Sequence, residues 1–167
     1  MATSQQGGAP QEADEAVIEM DAVILVGGRG TRLRPLTVST PKPMLPTAGH
    51  PFLAHLLARI REAGMRHVVL GTSYKAEVFE EYFGDGAAYG LEIEYVVEEE
   101  ALGTGGAIRN VADKLRYDNA MVFNGDVLSG ADLSEILATH TDKDADVTLH
   151  LVRVPDPRAF GCVPTDD

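Results

Sequence analysis

The chain has 167 residues, 44% hydrophobic and 24% charged, which is enough for one sizeable core and ordinary for a globular domain. Its formal net charge of −12 argues against a general nucleic-acid-binding role. A lone cysteine, Cys162, leaves no internal disulfide and is expected as a buried, inert thiol; with no membrane-length apolar run and no secretory signal, a cytoplasmic location is expected.

Residues 1–20 are rich in Gln, Gly, Ala and acids, lack Lys and Arg, and read as a disordered tail. Asp21 to Gly28 reads as the first strand, on the apolar run from Ala22 to Val26. It opens into a loop over residues 29–50. There Gly27, Gly28 and Gly30 allow close backbone approach, and bare N–H groups bind phosphates well. Arg29, Arg32, Arg34 and Lys42 add fixed positive charge, and no Asp or Glu occurs between Ala22 and Arg61. Pro35, Pro41, Pro43 and Pro46 stiffen this cationic loop, so little reorganisation is needed when charge develops on a phosphate. The P-loop pattern fails for want of a Gly-Lys pair, and the dinucleotide fingerprint fails at Leu33.

Pro51 to Ala63 reads as a helix on the spacing of Phe52, Leu53, Leu56, Leu57 and Ile60, with Gly64 at its C-terminal end. His50 and His55 nearby suit packing or solvation better than a metal. A strand over His67–Thr72, a helix over Lys75–Phe83 and a third strand over Leu91–Val97 follow. Gly103 opens a glycine-rich turn, Ala107–Leu115 is a helix, and Ala120–Phe123 is a fourth strand. Asp132 is placed to cap a helix over Leu133–His140; Ala145–Val154 reads as a long strand, and Gly161–Pro164 as the start of another element. Alternating strands and helices predict an α/β fold with a mainly parallel sheet and right-handed crossovers. Ligands of such sheets bind beyond the carboxyl ends of strands, which directs attention to the loops after the first, third and fourth.

The loop after the third strand runs from Glu98 to Gly106. Its glycines, Gly103 among them, admit a flat ligand such as a base. Glu98 could accept both adjacent donors of guanine's Watson–Crick edge, where uracil and thymine offer one; Glu99 and Glu100 read as surface acids. In Asn124-Gly125-Asp126, an aspartate at a strand's carboxyl end is placed to hold Mg²⁺ against a phosphate, although an Asx turn is the plain alternative.

The motifs G-G-R-G-T-R-L-R-P-L-T followed by P-K-P-M-L-P, E-E-E-A-L-G-T-G-G and N-G-D-V together resemble the sugar-nucleotide pyrophosphorylases (sugar-1-phosphate nucleotidylyltransferases) across residues 21–167. The phrasing is most similar to members that act on GTP and mannose 1-phosphate. The resemblance implies a Rossmann-like, three-layer nucleotidyltransferase domain with a mainly parallel mixed sheet. It implies that a sugar 1-phosphate oxygen attacks the α-phosphorus of an NTP, releasing pyrophosphate and forming an NDP-sugar. It implies that Arg32 stabilises departing pyrophosphate and Lys42 binds the reacting phosphates. Leu25, Gly27, Gly28 and Gly103 match positions of the nucleoside pocket, and Asp126 the Mg²⁺ aspartate; Gly30, Thr31 and Thr104 lie in the same motifs. The family's glutamate–lysine motif, sugar-binding segment and second metal aspartate do not occur, so this sequence is expected to carry the nucleotide-binding part of an incomplete, C-terminally truncated domain.

Partners expected are a nucleoside triphosphate and a sugar 1-phosphate, with no nucleic acid and no membrane; homo-oligomerisation is left open. Glucose 1-phosphate uridylyl, thymidylyl or adenylyl transfer is the alternative within the class. A non-catalytic, sugar-nucleotide-sensing subunit is the alternative outside it, disfavoured because Arg32, Lys42 and Asp126 are all kept.

Overall fold

Four parallel strands in the order β5-β4-β1-β6 form the centre of the fold. The structure, a computed structural model, describes residues 17–164 apart from Arg29 and Phe160. The strands are β1 (Asp21–Leu25), β4 (His67–Thr72), β5 (Glu92–Val97) and β6 (Ala120–Asn124), and a short antiparallel hairpin pairs β2 (Pro46–Thr47) with β3 (His50–Pro51). Helices α1 (Phe52–Glu62), α2 (Ala76–Phe83), α3 (Gly103–Asn110) and α4 (Leu133–Asp142) alternate with them. The α/β class with a mostly parallel sheet is thus as expected. The chain divides after Ser129 into two units, residues 1–129 and 130–167.

In the first unit, β4 is buried along its whole length and β1 nearly so, which is why both read as continuous apolar runs. Val23 of β1 and Val69 of β4 meet Val111 beyond α3, with Leu25, Val96 and Leu115 packed around them. Helix α1 buries Leu53, Leu56, Leu57 and Ile60, the positions its spacing singled out. Gly64 follows at φ 94°, the left-handed close of a helix that glycine supplies without strain. Tyr95 donates to Gly84 O at 2.7 Å, which ties β5 to the end of α2; burial first, then Glu80 and Asp85, push its hydroxyl pKa up to about 12.

Residues 1–16 of the expected tail lie outside the described residues. Residues 17–20 lie along the fold: Ile18 N donates to Gly64 O at 2.9 Å, and Met20 is buried. The helix expected over Ala107–Leu115 begins instead at Gly103 and ends at Asn110, followed by a 3-10 turn at Ala112–Lys114. In the second unit Asp132 caps α4 as expected, its carboxylate accepting from Ser134 N and Glu135 N. No strand forms over Ala145–Val154 and no regular element over Gly161–Pro164. An extended segment needs a neighbouring backbone to pair with, and residues 145–154 have no ladder partner among the described residues, so Val147, Leu149 and Leu151 stay exposed. Cys162 is exposed rather than buried, because nothing regular forms around it. No helix among the described residues is long and apolar enough to cross a membrane.

At the amino ends of the strands sits a polar cluster that the sequence did not announce. Asp21 is fully buried; it accepts from Arg116 N at 2.8 Å and Tyr117 N at 2.9 Å and meets His67 Nδ1 at 2.6 Å. His67 Nε2 lies 3.2 Å from Glu94, which also pairs with Lys114 at 2.8 Å and Arg116 at 3.1 Å, while Arg116 reaches Glu92 as well. Hydrogen bonds from Lys114, then Arg116, pull the Glu94 pKa from 4.5 down to about 2. A depressed carboxylate stabilises the fold above its unfolded pKa and loses that contribution as pH falls through the folded one. Unfolding free energy should therefore decline between pH 4.5 and about 2, and Glu94→Gln should flatten that window. Parallel pH–stability curves for parent and variant in urea titrations would remove Glu94 from the acid response.

Candidate active site

Parallel pairing sets the site. Leu25 stands opposite Gly71 on β4 and opposite Asn124 on β6, and Thr72 stands opposite Val97 on β5. The loops that leave these strands therefore start nearly level and open onto one cleft of about 930 Å³, a size typical of small-molecule sites. Its lining includes every site residue expected from the sequence: Leu25, Gly27, Gly28, Gly30, Thr31, Arg32, Lys42, Glu98, Gly103, Thr104 and Asp126. Ser73 and Tyr74, from the loop after β4, line it too, and the sequence reading missed them. The available signal was topological: that loop also leaves the carboxyl end of a parallel strand.

The loop after β1 is bent by its glycines. Gly28 has φ 114° and Gly30 φ 54°, and Gly28 N donates to Ser73 Oγ at 3.4 Å. Thr37 is buried, and its hydroxyl donates to Gly30 O at 2.8 Å; a Cβ on Gly30 would come within 3.1 Å of the Thr37 methyl and 3.3 Å of Lys42 Cβ. The proline-rich loop forms no long helix; two short 3-10 turns form, at Thr31–Leu33 and Lys42–Met44. Arg32 is exposed at the cleft and makes no ion pair among the described residues. Lys42 Nζ reaches Asp126 Oδ2 at 2.6 Å, with both side chains about two-fifths exposed, at 40% and 42%.

Asp126 is positioned by Gly125, which lies against the end of β1. Gly125 N donates to Leu25 O at 2.9 Å, and a Cβ there would collide with Val26 Cγ1 and stand 3.1 Å from Leu25 O. On the opposite wall, Glu98 N donates to Thr72 O at 2.7 Å, and its half-buried side chain faces the cleft. Helix α3 starts at the cleft with no side-chain cap, so its first N–H groups are available to a ligand. His55 meets Thr47 O at 2.8 Å and His50 edge-on, the packing role expected.

No group of three or more His, Cys, Asp or Glu among the described residues could hold a metal. Asp126 is a cleft carboxylate that could hold a hard cation whose other ligands are phosphate oxygens and water.

Residues 21–167 match the nucleotidyl transferase family. The chain belongs to it. It is 72% identical over 152 residues to the mannose-1-phosphate guanylyltransferase of Mycobacterium tuberculosis, covering 91% of this chain and 42% of that protein. Identity is 40% to the D-glycero-alpha-D-manno-heptose 1-phosphate guanylyltransferase of Aneurinibacillus thermoaerophilus, over 89% of this chain and 64% of the relative. The chain thus spans less than two thirds of these nucleotidyl transferases. Among solved structures, HddC from Yersinia pseudotuberculosis in complex with GMP-PN is similar at TM-score 0.66 and 33% identity, covering 74% of this chain and 55% of that one. The fold of the family and the observed sheet agree.

Gly125→Ala should lower the urea midpoint by an amount equivalent to about 1–3 kcal/mol, since the added methyl overpacks the end of β1. Gly105→Ala, whose Cβ would meet nothing within 4 Å, should be neutral or stabilising in its helix. Equal midpoints for the two variants would show that the fold does not need glycine for the close approach at position 125.

Proposed function

We propose that this chain supplies the nucleotide-binding part of a nucleotidyltransferase that joins GTP and mannose 1-phosphate into an NDP-sugar. The convergence of the three motif loops on one cleft, with Lys42 and Asp126 touching across it, carries this reading. The identity of 72% to a mannose-1-phosphate guanylyltransferase supports the choice of substrates. A cytoplasmic location goes with it, on the single cysteine.

In the reaction, a phosphate oxygen of the sugar 1-phosphate forms a bond to the α-phosphorus of the triphosphate. The bond from that phosphorus to the bridging oxygen breaks, and its electron pair leaves with pyrophosphate. Such transfer depends on positioning and charge neutralisation, so no protein nucleophile is needed. Arg32 neutralises charge on the leaving pyrophosphate. Lys42 turns from Asp126 to the reacting phosphates. The backbone around Gly27, Gly28, Gly30 and Thr31 lies along the nucleotide, and Leu25, Gly103 and Thr104 flank the nucleoside. Glu98 accepts from guanine's paired donors. Asp126 would hold Mg²⁺, which when bound would supply charge neutralisation for the phosphates.

Calorimetric titration of the 167-residue chain with GTP, ATP, UTP and dTTP, with and without Mg²⁺, tests the reading. The expected result is Mg²⁺-dependent binding with GTP tightest. A folded chain that binds none of the four sinks the proposal, and preference for another nucleotide changes the substrate.

Asp126→Asn should abolish the Mg²⁺ response yet keep or improve metal-free GTP binding, because Lys42 loses its competing carboxylate. A variant whose Mg²⁺ titration overlays the parent's rejects Asp126 as the ligand. Glu98→Gln should erode the guanine preference by about tenfold, the worth of one charge-assisted hydrogen bond. An intact preference retires Glu98.

A further inference from the structure

We infer that Lys75 is a positioning residue that clamps the phosphate-binding loop from outside the cleft; the inference rests on the functional reading just given. Lys75 is the residue before α2, and its backbone is left-handed, at φ 57° and ψ 50°. That region is unfavourable for any residue with a Cβ, and glycine is its natural occupant. A cation at this end of a helix also opposes the helix dipole. Two local penalties thus fall on one position; Glu77 in the first turn of α2 complements the dipole, but the left-handed backbone has no such relief within the helix.

What offsets them lies across the loop. Lys75 Nζ donates to Ser39 O at 2.7 Å and to Val38 O at 3.3 Å. The neighbouring Tyr74 hydroxyl donates to the same Val38 O at 3.1 Å, and the Lys75 ammonium sits 5.4 Å from the Tyr74 ring. Val38 and Ser39 belong to no helix or strand, and these donors tie their carbonyls to the turn between β4 and α2. The residue just before them is Thr37, whose hydroxyl holds Gly30 O and whose methyl packs where Gly30 has no side chain. Three residues beyond Ser39 is Lys42.

A shift of the Val38–Ser39 segment therefore moves Gly30 and Lys42 together, and with them the amides and the ammonium that meet phosphate. Lys75 itself does not line the cleft, although Tyr74 does. It acts through the loop and not on the ligand. In preorganised sites such support decides affinity and rate, because the loop is already ordered when charge arrives.

The test compares the 167-residue parent with Lys75→Gly, Lys75→Met and Lys75→Arg. Three readouts are taken: melting temperature, hydrogen exchange of peptides spanning residues 30–45, and calorimetric affinity for GTP with Mg²⁺. Lys75→Gly relieves the backbone, so its melting temperature should equal or exceed the parent's. Its loop amides should nevertheless exchange about tenfold faster. GTP affinity should fall about tenfold as the loop loses its preorganisation. Lys75→Met should match it in the loop, which separates loss of the ammonium from added chain freedom. Lys75→Arg, which can still reach both carbonyls, should restore exchange and affinity. Loop exchange at the parent's rate in both Lys75→Gly and Lys75→Met overturns the clamp. If the parent binds no nucleotide, the functional reading falls, and the exchange comparison still decides the role of Lys75.

Discussion

Everything in the first unit depends on β1 being paired on both sides by parallel neighbours. A parallel strand flanked in this way has no free backbone and two buried faces, so its sequence must be apolar and its chemistry must wait for the loops. The register then does the rest. With Leu25 level with Gly71 and Asn124, the chain delivers a glycine turn, a Ser-Tyr pair, a glutamate and an aspartate to one rim. The strands are the reason that residues as far apart in sequence as Lys42 and Asp126 touch.

The rim combines opposite charges in a protein that is strongly acidic overall. The acid-free stretch from Ala22 to Arg61 contributes Arg32 and Lys42 to one wall, and Glu98, Glu99 and Glu100 contribute the other. Local arrangement, not net charge, decides whether a cleft in an acidic chain suits an anion. The cationic wall offers donors and positive charge, and the carboxylate wall offers acceptors.

Much of this was legible in the sequence. Unbroken apolar runs gave β1 and β4, helical spacing gave α1, and Asp132 was readable as a cap because its side chain competes for the first amides of the helix. The cleft was readable because glycines and prolines leave a strong compositional mark on a loop. What was hidden involved partners distant in the chain. The Asp21–His67–Glu94 cluster joins three strands and has no local signature. The role of Gly125 depends on a contact with Val26, and Lys75 looks like an ordinary surface lysine until its carbonyl partners are seen. The apolar alternation of Val147, Leu149 and Leu151 is a true strand pattern, but a pattern supplies only one side of a ladder. Glycines at 103, 105 and 106 read as a turn, yet they occupy the first turn of α3, where small residues leave amides bare.

The two outer strands of the sheet differ in a way that bears on handling the protein. β5 carries Glu92 and Glu94, braced by Arg116 and Lys114, and a charged margin of this kind resists pairing with another chain. β6 reads Ala-Met-Val-Phe-Asn, has no charge, and among the described residues has β1 as its only neighbour. Its outer row of amides and carbonyls is a template for a further strand from any source, including a second copy. Pairing between copies, if it occurs, would begin at this uncharged edge, and a dilution series is the measurement that reads it.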